Sequence, residues 1–130
     1  MKNEIKKILD DDTGYIKDQG FKIEELNSDY VKMSYKIKKS GLNPHDIVHG
    51  GVLFGLADTA AGVLVGMHNK KCVTINGNIN YLKPVKEGKV YAISKCLKEG
   101  KRIGYYLVEL YDENNNLVAT SNFNMYFLDN

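Results

Sequence analysis

Between Gly50 and Met67 the chain reads GGVLFGLADTAAGVLVGM, an apolar run with a single charged residue, Asp58. Read as a helix it is hydrophobic on every face, so it needs cover on every face. An ionised carboxylate inside such a helix is costly unless it is paired or used. Gly50, Gly51, Gly55, Gly62 and Gly66 each weaken a helix by roughly 0.5–1 kcal/mol relative to alanine. So many glycines predict that another backbone or a ligand approaches closely. A membrane span is the competing reading, since about 18 uncharged residues suffice for one. It fails here: Asp58 would sit near the bilayer centre, the glycines dilute the hydrophobicity, and no arginine or aromatic anchors flank the ends. The run is expected to be the buried core helix of a chain that does not enter a membrane.

A length of 130 residues predicts one domain over 1–130, with a short N-terminal helix at about 2–12. Its 18 basic and 16 acidic residues are spread along the chain, without the stripe that nucleic-acid binding requires. Arg102 is the only arginine, and so the only planar fork for a phosphate. Cys72 and Cys96 fall in predicted strands with no metal-ligand spacing, and the opening Met-Lys-Asn-Glu is not an apolar signal segment. Reduced thiols and a cytoplasmic location are the expectation.

Ile5, Ile8 and Leu9 recur at helical spacing before a run of three aspartates. From Tyr30, Val31, Met33, Tyr35 and Ile37 alternate with Lys32, Ser34, Lys36 and Lys38, a strand with one wet face. Its expected partner is the segment around 21–26, reached through Asn27-Ser28-Asp29. After the long helix come four strand-like runs at 72–82, 90–97, 103–111 and 117–128. In the first, Val73, Ile75, Gly77, Ile79 and Tyr81 share one face. Short connections predict hairpins and an antiparallel meander. The fold class is therefore α+β: a curved antiparallel sheet of about six strands wrapped around one long central helix.

Several motifs resemble the hotdog-fold acyl-CoA thioesterases of the phenylacetate-pathway (PaaI-like) type, in the 4-hydroxybenzoyl-CoA thioesterase superfamily. They are Asn43, His49-Gly50-Gly51, Leu56-Ala57-Asp58-Thr59-Ala60, Val73-Thr74 with Asn78-Ile79-Asn80-Tyr81 and Pro84, and Glu99-Gly100-Lys101-Arg102. The resemblance covers about Gly41 to Met125. It implies a thioesterase acting on acyl-CoA, a homodimer that pairs into a homotetramer, and no cofactor beyond the coenzyme A of the substrate. It also implies that the aspartate position acts on water and that the first glycine N–H polarises the thioester. The asparagine and threonine positions, Asn43 and Thr74, hold water or substrate. The region of Lys101 and Arg102 meets coenzyme A phosphates in that family.

The residues themselves fit such chemistry. Thioester hydrolysis needs an activated water and donors for the developing oxyanion. Free N–H groups at a helix start supply the donors, and Gly50 and Gly51 lie there. Asp58 is the natural general base, or a nucleophile forming an anhydride. His49 either orients the loop or substrate or fills the start of the helix. Asn78 belongs to a polar strand face or to a substrate contact, and Lys101-Arg102 to a phosphate contact or a solvated turn. His45 and His49 straddle a loop with no third ligand, so no metal is expected. Asn43-Pro44-His45 resembles a hydratase signature but lacks the preceding Gly-Asp, which leaves a hotdog enoyl-CoA hydratase as one alternative. A non-catalytic acyl-CoA-binding regulatory module is another.

Gly50 and Asp58 lie eight residues apart, or about 12 Å along one helix at 1.5 Å per residue. One helix cannot bring both to one thioester. The expectation is a two-fold dimer with shared sites, Asp58 of one protomer facing Gly50 N–H of another.

Overall fold

A computed structural model describes residues 1–129. The chain runs α1 (Lys2–Asp10), α2 (Tyr15–Gln19), β1 (Lys22–Leu26), β2 (Tyr30–Lys36), a 3₁₀ turn (Lys39–Gly41), α3 (Gly50–Met67), β3 (Lys71–Tyr81), β4 (Lys89–Glu99), β5 (Ile103–Asp112) and β6 (Leu117–Leu128). The strands form one six-stranded sheet, ordered β1-β2-β4-β5-β6-β3, with every pair antiparallel. Strands β2 to β6 pack on α3. By length and composition α3 could cross a membrane, but its apolar side chains are buried against the sheet.

Local chemistry explains the elements. The Asn27 side chain accepts the N–H groups of Asp29 and Tyr30, each at 2.9 Å, and so closes the β1–β2 turn. Val31, Met33 and Tyr35 point inward and are fully buried, as their alternation predicts. Leu56, Ala57, Ala60, Ala61 and Leu64 make the buried face of α3. Burying a leucine there is worth about 1.5–3 kcal/mol. Ser94 of β4 sits in this core because its hydroxyl donates to the Ala60 carbonyl of α3 at 2.9 Å.

The structure departs from the sequence reading in four places. First, β3 does not pair with β4. The N–H groups of Leu82 and Lys83 both donate to the Val118 carbonyl, at 2.8 and 3.2 Å, and Pro84 then has no N–H to continue the ladder. The chain crosses beside the α3 start, where Val48 N–H donates to Val85 O at 2.9 Å, and re-enters as β4 next to β2. Lys83 Nζ, 2.8 Å from Asp112 Oδ2, ties this crossover to the β5–β6 turn. The result leaves β3 at a free edge of the sheet.

Second, β3 carries a bulge between Thr74 and Asn76. Cys72 and Thr74 sit opposite the buried Phe127 and Met125, and Gly77 opposite the buried Phe123, so these share the inner face. Val73, expected beside Gly77, lies outside at 49% exposure. A bulge re-aims side chains in this way. Third, α2 is an element the sequence reading lacked. It is a single turn closed by Gly20 at φ 83°, too short to show a periodicity.

Fourth, α3 is not covered on all sides. Gly55, Asp58, Thr59, Gly62 and Gly66 form a half-exposed stripe that the sheet leaves partly open. What approaches the stripe is the N-terminal segment. Tyr15 lies where a Cβ on Gly55 would stand, and Ile5 Cδ1 would be 2.8 Å from one on Gly66.

Candidate active site

The loop before α3 is organised by Asn43. Its side-chain oxygen accepts the N–H groups of His45 at 2.9 Å and Ile47 at 3.2 Å, and its backbone pairs with Ile47 O at 2.7 Å. These bonds set the path of 43–48 into the helix. His49 is the N-cap. Its Nδ1 accepts the Gly51 N–H at 2.8 Å, which places the ring proton on Nε2. The bond consumes the Gly51 donor. Among the described residues Gly50 N–H has no acceptor, so it is the donor left at the positive end of the helix. Tyr81 of β3 reaches the same point: its hydroxyl donates to Gly50 O at 2.7 Å. A Cβ on Gly50 would stand 2.8 Å from the Tyr81 Oη, so a larger residue there must displace the exposed Tyr81 ring.

Asp58 projects from the half-exposed stripe of α3. The Thr74 hydroxyl, turned inward by the bulge, donates to Asp58 Oδ1 at 2.6 Å and lies 3.3 Å from Met125 Sδ. A hydroxyl has one proton, and the carboxylate is the stronger acceptor. Asp58 Oδ2 has no hydrogen bond among the described residues. Both residues line a pocket of about 350 Å³ with Cys72, Met125, Gly62, Val63 and side chains of α1. Burial first, then the negative charge of Asp58, pushes the Cys72 thiol up to about 11, so it stays protonated and is a poor nucleophile. Burial, with Tyr35 and Asp58, also raises the Tyr15 phenol.

Asp58 and Gly50 therefore lie in different places. Gly50 lines a separate pocket of about 340 Å³ with Tyr81, Leu53, Pro84 and Val85, which shares no residue with the Asp58 pocket. Asn78 is on the outer face of β3 opposite Asn122, turned away from Asp58 within its own chain. Lys101 and Arg102 lie exposed in the β4–β5 turn, where Arg102 O accepts Phe127 N–H at 2.8 Å. That turn is at the Thr74 end of the sheet, since Gly104 pairs with Met125 and Met125 with Thr74. The sequence reading missed the Tyr81–Gly50 bond, the Met125 contact and the α1 wall. Only Tyr81 had a signal, through the glycine it faces.

A profile of the thioesterase superfamily matches residues 45–119. A candidate esterase of Archaeoglobus fulgidus is 33% identical over 106 residues, covering 81% of this chain and 69% of that protein. The 1,4-dihydroxy-2-naphthoyl-CoA hydrolase of Escherichia coli is 26% identical, covering 77% and 76%. The E. coli PaaI protein from the phenylacetic acid degradation operon superposes with TM-score 0.88 at 24% identity, covering 95% and 90%. A hypothetical thioesterase of Streptococcus pneumoniae, solved with coenzyme A, superposes with TM-score 0.80 at 26% identity, covering 88% and 97%. The helix, the sheet around it and these likenesses converge: the chain belongs to the thioesterase superfamily and is a thioester hydrolase with the hotdog fold.

Proposed function

We propose that the chain hydrolyses acyl-coenzyme A thioesters at a site shared by two copies, with Asp58 as general base and Gly50 N–H of the partner subunit as oxyanion donor. The observation that carries this is the edge strand β3. Its eleven residues hold one charge, Lys71, and no proline, so nothing guards the edge against pairing with a second copy. Thr74 touches Asp58 at one end of β3, and Tyr81 touches Gly50 at the other. Antiparallel pairing of two β3 strands about a two-fold axis near Gly77 and Asn78 sets Thr74 beside the partner's Tyr81, at a strand spacing of about 4.8 Å. The base of one copy then meets the donor of the other, twice per dimer. Asn78 falls at the axis.

Asp58 takes a proton from water, and the water oxygen attacks the thioester carbonyl carbon. The oxyanion is held by the Gly50 N–H and the helix dipole. On collapse the C–S bond breaks, Asp58 returns the proton to the thiolate, and free acid and coenzyme A leave. Thr74 holds Asp58, Asn43 and His49 hold the loop that presents Gly50, and Arg102 with Lys101 receives phosphate. Nothing beyond the substrate is needed as cofactor. Coenzyme A with the S. pneumoniae thioesterase, and acetyl CoA bound to a Streptococcus mutans protein of 25% identity, support the substrate class. The S. pneumoniae protein has also been solved with an aspartate and with a threonine replaced by alanine. Those two positions are separated as Asp58 and Thr74 are, by 16 residues.

The outer row Val73, Tyr126 and Ile103 is apolar and exposed, a surface suited to stacking two dimers into a tetramer. Two free cysteines suit a cytoplasmic location. The test is Asp58→Asn on a panel of acyl-CoA thioesters, followed by thiol release. Loss of a general base lowers kcat about 10²- to 10⁴-fold; near-normal turnover would remove Asp58 from the role.

A further inference from the structure

We propose that the pocket between α1 and α3 receives the acyl chain, and that it selects an unsubstituted aliphatic acyl group of medium length. This rests on the thioesterase reading of Asp58. Asp58 and Thr74 form part of the pocket wall, so an acyl group whose carbonyl lies at Asp58 extends into it. The apolar side chains of the wall are Ile5, Ile8, Leu9, Ile16, Val63 and Met125, beside Thr59, Gly62 and Cys72, with no aromatic ring.

Apart from Asp58 Oδ2, which the hydrolysis uses on water, the polar groups present are already engaged. Thr74 donates to Asp58, Thr59 Oγ1 donates to Gly55 O at 2.7 Å, and the Cys72 thiol is neutral. A hydroxyl or charge on the acyl group would be desolvated there without a partner, which is costly. An aliphatic chain loses nothing. The volume of about 350 Å³ is at the small end of ligand pockets. At about 30 Å³ per water-sized group it admits roughly a dozen carbon-sized groups at most.

Two further features fit this occupant. Gly62 is mid-helix, where glycine is unfavourable, and a Cβ there would meet nothing within 4 Å. Unlike Gly50, Gly55 and Gly66, it makes room for no side chain of this protein; the space over it is the pocket. Ile8, on α1, is 65% exposed although it lines the same pocket. A chain lying in the pocket would cover it.

The test is kcat/KM over saturated acyl-CoA thioesters from acetyl to hexadecanoyl, with benzoyl-CoA and 4-hydroxybenzoyl-CoA as the aryl arm. Wild type should gain about fourfold per methylene from butyryl to octanoyl, the factor for burying one CH₂, and then level off. Octanoyl should exceed both aryl thioesters. Gly62→Leu, which places four carbons in the pocket and favours the helix, should lower the octanoyl-to-butyryl ratio at least tenfold. Gly62→Ala should lower it by a smaller factor. Binding of S-octyl-coenzyme A, a thioether that cannot be hydrolysed, should weaken at least tenfold in Gly62→Leu, which reads the pocket without turnover. A 4-hydroxybenzoyl preference that Asp58→Asn abolishes would overturn the acyl assignment and leave the reaction standing. An unchanged octanoyl-to-butyryl ratio and S-octyl-coenzyme A affinity in Gly62→Leu would overturn it as well. Near-normal turnover that survives Asp58→Asn would instead remove Asp58 from the base role on which the placement of the acyl carbonyl rests.

Discussion

Thr74→Val removes the hydroxyl proton donated to Asp58 and keeps the shape of the side chain. At 2.6 Å this is a short hydrogen bond to a carboxylate, the stronger kind. Such a bond contributes about 1.5–3 kcal/mol. If that energy holds Asp58 in its reactive position, its loss lowers kcat/KM by about 10- to 150-fold. The fall should be smaller than for Asp58→Asn, which removes the base itself. Thr74→Ser, which keeps the donor, should retain most activity. The new methyl meets Met125, an apolar neighbour, so the loss of stability should not exceed that of the hydrogen bond itself, about 1.5–3 kcal/mol. The assay is thiol release with an acyl-CoA in the wild type, both Thr74 variants, Asp58→Asn and the double variant Asp58→Asn/Thr74→Val. Because threonine acts through aspartate, Thr74→Val should cost nothing further once Asp58 is gone. A Thr74→Val enzyme within twofold of wild type, or full additivity in the double variant, would refute the positioning role.

Arg102→Ala should raise KM for acyl-CoA with little change in kcat, since phosphate binding far from the thioester is uniform binding, and added salt should shrink the effect. An unchanged KM at low ionic strength would leave Arg102 as a solvated turn residue. Glu99 holds Lys70 and His68 after the end of α3, and these bonds, Lys70 first, lower its carboxyl below the usual 4.5. Its stabilisation is therefore complete above the unfolded value and is lost as pH falls through the folded one. The Tm gap between wild type and Glu99→Gln at pH 7 should shrink below about pH 4.5; a gap independent of pH would contradict the pairing.

The sequence reading placed α3 and β6 where the structure has them because long apolar runs and strict alternation are local signals. It mispaired β3 with β4 because the segment 82–88 looks like a hairpin loop until Val118 and Val48 are in place to bond it. The bulge at Ile75 has no signature in one chain, and it decides whether Thr74 or Val73 meets the helix. Motif resemblance supplied Asp58 with Thr74, whereas the Tyr81–Gly50 bond depends on sheet order across 31 residues. The α1 wall was out of reach for the same reason. Spacing showed an amphipathic helix at Ile5, Ile8 and Leu9, but not that it packs over the glycines of α3.

The shared site is tested most directly by mixing two inactive variants, Asp58→Ala and Gly50→Pro. Proline suits the first helical position, and His49 before it is already extended at φ −60° and ψ 134°. The half-exposed Tyr81 ring must shift to admit it. After subunit exchange half of the dimers are mixed, and each mixed dimer regains one intact site, with Asp58 from one copy and Gly50 from the other. Activity should return to about a quarter of wild type. If both variants fold, exchange is verified and no activity returns, the base and the oxyanion donor do not come from different protomers.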